Sequence, residues 1–244
     1  MEHGGKTVYG AAVGILMLET QFPRIHGDMG NALSWDFPVH YRVVRGATPD
    51  LVVRHDPTAL VDLFIEAGRD LVAMGCDGIT TNCGFLALIL DQVKQALGVP
   101  VATSSLMQVP MAQALLPQGK RVGVLTISKQ TLTPAHLVAA GAPGDTPVGG
   151  TDGLGCFSRD ILGDALQIDF EACRLDMIDG ARALQAETPD LGAIVLECTY
   201  RGPYARDIRR ATGLPVFSIH SFVTWFQAGL MPRRFDVELD DPRW

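Results

Sequence analysis

The chain repeats itself, and that repeat constrains its fold more than any other feature. Two apolar segments each run into a cysteine. One is Asp77-Gly-Ile-Thr-Thr-Asn-Cys83, followed by Gly84-Phe85; the other is Leu191-Gly-Ala-Ile-Val-Leu-Glu-Cys198, followed by Thr199-Tyr200. The cysteines are 115 residues apart, and the same offset relates Gly98-Val-Pro-Val101 to Gly213-Leu-Pro-Val216. A third pair, Val13-Gly-Ile-Leu16 and Val122-Gly-Val-Leu125, is offset by 109. Self-similarity on this scale predicts two like units rather than one continuous sheet.

Periodicity assigns the elements within each unit. Apolar residues at helical spacing predict helices over 58–74, 85–97, 107–116, 131–140, 169–186 and 203–212, with a last one opening at 222. Short apolar runs predict strands over 8–18, 39–45, 79–81, 99–103, 121–126, 191–197 and 216–219. The stretches 19–31 and 141–155 are dense in turn formers and read as loops, the second as a flexible loop or lid. Strands separated by helices imply parallel sheets with right-handed crossovers. The expected fold is α/β: two pseudo-symmetric Rossmann-like lobes with parallel sheets and the active site in the cleft between them. The first lobe is expected over 1–110 plus 216–244, and the second over 111–215.

Composition narrows the function. A hydrophobic fraction of 47% with 19% charged residues describes an ordinary folded core. The net charge of −7 leaves no basic stripe for nucleic acid, although local donors can still bind an anionic substrate. Five cysteines without a Cys-x-x-Cys spacing give neither a disulfide framework nor a metal site. No stretch reaches the roughly 20 apolar residues of a bilayer span, and the first residues lack a signal-peptide pattern. These points predict a cytoplasmic protein with reduced thiols and no membrane partner; a homo-oligomer is compatible with them.

The chemistry follows from where the repeated cysteines stand. A strand cysteine taken alone is usually core packing, and Cys76, Cys156 and Cys173 read that way. Cys83 and Cys198 instead stand where a strand gives way to a helix, the position at which open α/β sheets hold ligands. A helix N-terminus there is expected to lower the thiol pKa. Two thiols facing across a cleft can remove a proton from one face of a carbon and return one to the other. Backbone amides after each cysteine, the hydroxyls of Thr81 and Thr199, and the Asn82 amide are candidates to stabilise the carbanion. No cofactor motif is visible, and none is expected.

Paired cysteines on duplicated α/β units, with Leu196-Glu-Cys-Thr-Tyr200 as the second motif, resemble the aspartate/glutamate racemase family. That group includes cofactor-independent racemases, hydantoin racemases, arylmalonate decarboxylases and algal dimethylsulfoniopropionate lyases. The resemblance implies that Cys83 and Cys198 are the acid/base thiols and that Thr199 helps hold a substrate carboxylate. Departures lie in Asn82 before the first cysteine, Gly84 after it, Tyr200 beyond the second, and Glu19 as the nearest carboxylate to the end of the first strand. The implied function is a racemase or epimerase acting at the carbon α to a carboxylate. The alternatives are a lyase that abstracts the α-proton and eliminates a β-group, a decarboxylase, and a non-catalytic binding protein.

Further candidates lie nearby. Arg24, in the loop after the first strand, could pair with a substrate carboxylate, and His26 could donate a hydrogen bond. Thr126 and Ser128 could hold substrate oxygens, and His220 could line the cleft or be a packed histidine. Glu197 is expected by strand alternation to face away from the cleft. Gly5-Lys-Thr7 lacks the context of a phosphate loop.

Overall fold

The computed structural model describes residues 4–235. It contains two four-stranded, all-parallel sheets. The first has the order β2 (Val39–Val44), β1 (Val13–Leu18), β3 (Gly78–Thr81), β4 (Val101–Ala102). The second is β6 (Val148–Gly150), β5 (Arg121–Thr126), β7 (Leu191–Leu196), β8 (Val216–Phe217). Position for position, the second sheet repeats the first. The strands β1, β3, β5 and β7 are almost wholly buried, because crossover helices cover both faces of a parallel sheet.

Nine α-helices are described among these residues: α1 (Pro49–Arg54), α2 (Val61–Met74), α3 (Leu90–Leu97), α4 (Val109–Ala114), α5 (Pro134–Ala139), α6 (Phe157–Leu162), α7 (Phe170–Glu187), α8 (Ala205–Thr212) and α9 (Ile219–Leu230). Equivalent helices end alike. Both α3 and α8 close on a glycine in the left-handed region, Gly98 (φ 65°) and Gly213 (φ 73°), and each glycine N–H bonds back into its helix. That shared ending explains why Gly-x-Pro-Val recurs before the last strand of each sheet.

The ends of the two units are exchanged. The last strand, β8, hydrogen-bonds to β7 in the second sheet, whereas the sequence reading placed residues from 216 onward in the first lobe. The 115-residue offset accounts for this, since Val216 is the counterpart of Val101 in β4. Only α9 returns. Its Ile219, Phe222 and Val223 pack with Val13, Ile15 and Met17 of β1, and Phe226 lies against Gly78. Reciprocally, α4 follows β4 but packs on β5 and β7. Each unit thus lends its last helix to the other.

Three elements lie where no regular structure was expected. The strand β6 falls inside the glycine-rich stretch 141–155, so this segment is no lid; its Thr151 is fully buried. The helices α1 and α6 have only six residues each, too few to show a helical period. The first strand covers Val13–Leu18, shorter than the apolar run of 8–18. The tail from residue 236 lies outside the described residues.

Candidate active site

Both repeated cysteines stand at the carboxyl end of a strand. Each directly precedes a 3-10 helix, Gly84–Ile89 after Cys83 and Thr199–Tyr204 after Cys198. These helices run on into α3 and α8, which carries the chain away and leaves the turns pointing at one space. The two thiols line a single cavity. Its walls are largely apolar: Leu18, Phe22, Pro49, Val53, Ile127, Ile161 and Leu162. Polar groups enter through Thr20, Arg24, Asn82, Glu197, Thr199 and Tyr200.

Side-chain bonds across the units hold the two turns together. The Thr199 hydroxyl donates to the Asn82 carbonyl at 2.7 Å, and Ser105 Oγ donates to the carbonyls of Leu196 (2.5 Å) and Glu197 (3.1 Å). Asn82 Oδ1 accepts from the Leu18 N–H at 2.7 Å, which locks its amide. The Tyr200 hydroxyl donates to the Pro23 carbonyl at 2.6 Å, and its ring meets Phe22 edge-on with centroids 5.2 Å apart. Tyr200 therefore pins the loop after β1 over the cavity.

Arg24 is the cation in the cavity wall. It donates to Asp28 Oδ1 at 2.8 Å and to Thr20 Oγ1 at 2.9 Å, and lies 4.6 Å over the Phe22 ring. These bonds engage two of the five N–H groups of a guanidinium, so others remain for a carboxylate. Asp28 is fully buried, which pushes its carboxyl above the usual range despite the attraction of Arg24.

The expected roles sort unequally. Cys83, Cys198, Asn82, Thr199, Tyr200 and Arg24 share the cavity. Thr81 and Thr126 do not. The Thr81 hydroxyl donates to the carbonyls of Thr103 (2.5 Å) and Cys83 (3.2 Å), and the Thr126 hydroxyl donates to Glu197 Oε2 at 2.7 Å. Thr199 reaches the cavity, but its proton is committed to a main-chain carbonyl. Glu19 lies outside the lining, half exposed, accepting from the Gly46 N–H. His26 bonds to the Leu33 carbonyl, Ser128 receives the Thr131 N–H, and His220 stacks on Trp35, all away from the thiols.

Glu197 faces the cavity, against the alternation reading, because β7 ends at Leu196 and the pleat does not extend to residue 197. It is 1% exposed, and among the described residues its Oε1 has no side-chain or main-chain donor in hydrogen-bonding geometry. A Cβ on Gly84 would stand 2.4 Å from that oxygen, so only glycine fits after Cys83. Burial raises the Glu197 carboxyl above its ordinary value; the Thr126 hydroxyl and the Arg201 charge pull the other way.

The thiols are not lowered as a helix N-terminus alone would make them. Burial and then the Glu197 charge push Cys198 up to about 12 and Cys83 well above its ordinary value. The amides of Tyr200, and of Phe85 and Leu86, oppose this without overcoming it. Cys198 alone of the two also feels Arg201, whose charge lowers it.

Comparison with known proteins finds similar chains and similar folds. A dimethylsulfoniopropionate lyase from Durusdinium sp. clade D is 27% identical over 243 residues, covering 96% of this chain and 77% of that protein. Dimethylsulfoniopropionate lyase 7 of Emiliania huxleyi is 29% identical over 237 residues, covering 93% and 69%. No protein-family model matches. Among solved structures, a glycine-to-cysteine variant of arylmalonate decarboxylase superposes with a TM-score of 0.59 at 16% identity, covering 93% of this chain and 97% of that one. A Yersinia pestis structure described as a putative Asp/Glu racemase gives 0.54 at 14% identity, covering 88% and 98%.

The fold is that of the Asp/Glu racemase-like proteins. The sequence relatives and the structural neighbours together support an enzyme. Among the described residues no helix is long and apolar enough to cross a membrane.

Proposed function

We propose that this chain is a lyase that removes the α-proton of a small carboxylate and expels a β-substituent, with a 3-(dialkylsulfonio)propanoate as the substrate class. The observation that carries the reading is the pairing of two thiols in one apolar cavity within a chain similar over nearly its whole length to dimethylsulfoniopropionate lyases.

Each part of the cavity has a task in that reaction. Arg24 receives the carboxylate, which fixes the α-carbon and draws charge toward the carboxyl group as the proton leaves. A thiolate takes the α-proton. The electrons of the broken C–H bond become the new Cα–Cβ double bond, and those of the Cβ–S bond leave with sulfur. The sulfonium departs as a neutral sulfide, the carboxylate as an acrylate, and the proton stays on the cysteine until it is lost to water. Apolar walls around the thiols keep water from the carbanion-like transition state. Tyr200 in the cavity wall supplies an aromatic ring of the kind that attracts a sulfonium cation.

A second reading, racemisation of an amino acid, is favoured by one observation. The unpartnered Oε1 of Glu197 is a buried acceptor able to take an ammonium N–H. Proton NMR in heavy water separates the two. A 3-(dimethylsulfonio)propanoate sample should yield acrylate and sulfide, whereas α-proton exchange of an amino acid with loss of optical purity and no alkene would replace the lyase reading with the racemase one.

A further inference from the structure

We propose that Arg201 is a positioning residue that decides which thiol of the pair ionises, so that Cys198 is the base of the site and Cys83 remains a thiol. This rests on the reading that the two cysteines form the reactive centre.

Arg201 is 0% exposed and heads the fully buried side chains in size. It sits three residues after Cys198 on the same 3-10 helix, and its N–H donates to the Cys198 carbonyl at 3.1 Å. Its guanidinium donates to the Thr126 carbonyl, to Thr151 Oγ1 at 2.6 Å and to Met177 Sδ at 3.2 Å. It also lies 4.9 Å from the centre of the Phe157 ring. All these partners are neutral. Among the described residues its Nε has no partner and it forms no ion pair within 4.0 Å. A guanidinium keeps its proton even when buried, and an uncompensated buried charge is costly. The site must therefore supply an anion near it.

Two acids face Arg201 most closely, Cys198 and Glu197, with Asp152 beyond them. Glu197 is held back from the guanidinium by Thr126, whose carbonyl takes Arg201 and whose hydroxyl goes to Glu197 Oε2. Glu197 and Cys198 thus compete for one negative charge beside one cation. The charged groups acting on Cys198 include Glu197, Arg201 and Asp28, with Cys83 coupled to it, and Asp28 is already paired with Arg24. At Cys83 the charges of Glu197 and Cys198 both oppose ionisation. The cation stands on one side of the pair, so the thiolate should too.

Alkylation by iodoacetamide tests this without any substrate, so it stands or falls separately from the choice between elimination and racemisation. The rate at each cysteine is followed against pH by peptide mass spectrometry. In the unmodified protein the alkylation of Cys198 should reach half its limiting rate at least one pH unit below that of Cys83. Arg201→Met should slow Cys198 about tenfold at a fixed pH while leaving Cys83 within twofold, and Arg201→Lys should restore most of the rate. Should Arg201→Met fail to fold, Thr151→Val loosens one anchor of the guanidinium and should slow Cys198 about threefold in the same direction. Coincident profiles for the two thiols, an equal slowing of both in Arg201→Met, or no change in Thr151→Val where Arg201→Met does not fold, would overturn the proposal.

Discussion

Cys83 and Cys198 occupy equivalent turns of a duplicated fold, yet their surroundings differ in charge. The turn after Cys83, Gly84-Phe85-Leu86-Ala87-Leu88-Ile89, carries no charged side chain. Gly84 is required there because Glu197 fills the space a side chain would take. The turn after Cys198 carries a buried arginine three residues on and a carboxylate one residue before. Both thiols are buried and both are raised, but only one has a cation beside it. Duplication supplied two symmetric positions, and the side chains around them made the positions unequal. Such asymmetry suits elimination, which needs one base, better than racemisation, in which the thiols exchange roles.

The largest expected effect comes from breaking the pair unequally. Cys198→Ser should lower kcat on a β-eliminating substrate by about 10³-fold or more, while Cys83→Ser should cost roughly 10- to 100-fold, within the range of lost acid/base groups. Equal losses would favour exchanging roles and hence racemisation. Next is Arg24→Gln, which removes charge-assisted bonds worth about 1.5–3 kcal/mol and should raise KM roughly 10- to 100-fold with a smaller change in kcat.

The pH profile follows from the raised thiols. A thiolate base becomes more abundant as pH rises toward its pKa, about 12 at Cys198, so the rate should climb through the alkaline range. Glu197 raises both thiols, so Glu197→Gln should move that rising limb to lower pH and increase the rate at pH 7 several-fold. The smallest effects concern stability. Gly84→Ala overpacks against Glu197 and should cost about 1–3 kcal/mol. Thr199→Val removes the hydroxyl bond to the Asn82 carbonyl and should cost about 1 kcal/mol. Thermal denaturation of each variant reads both.

Much of this arrangement was written in the sequence, because repetition and strand-end position are visible in one dimension. The thiols, Asn82 and Tyr200 follow from that reasoning, and so does the pairing of β3 with β7 as equivalents. Glu197 was misdirected by alternation, a rule that stops where the strand does. Arg201 carries no signal in the sequence, because an arginine beside Gly202-Pro203 has the pattern of a surface turn; only tertiary packing against Phe157 and Met177 buries it. The hydroxyls of Thr81 and Thr126 looked like substrate donors, but sharp turns at strand ends leave carbonyls and a carboxylate that consume them. The thiols are raised where a helix end alone predicts lowering, because helix-end amides are local whereas burial depends on the whole fold.

Elimination releases one proton for each sulfide, and racemisation releases none. A pH-stat titration of the protein with 3-(dimethylsulfonio)propanoate, with sulfide measured in the headspace, therefore tests the central claim directly. The account predicts base uptake equal to sulfide released, abolished in Cys198→Ser and retained at a lower rate in Cys83→Ser. No sulfide and no base uptake, in a protein that instead racemises an amino acid, would contradict it.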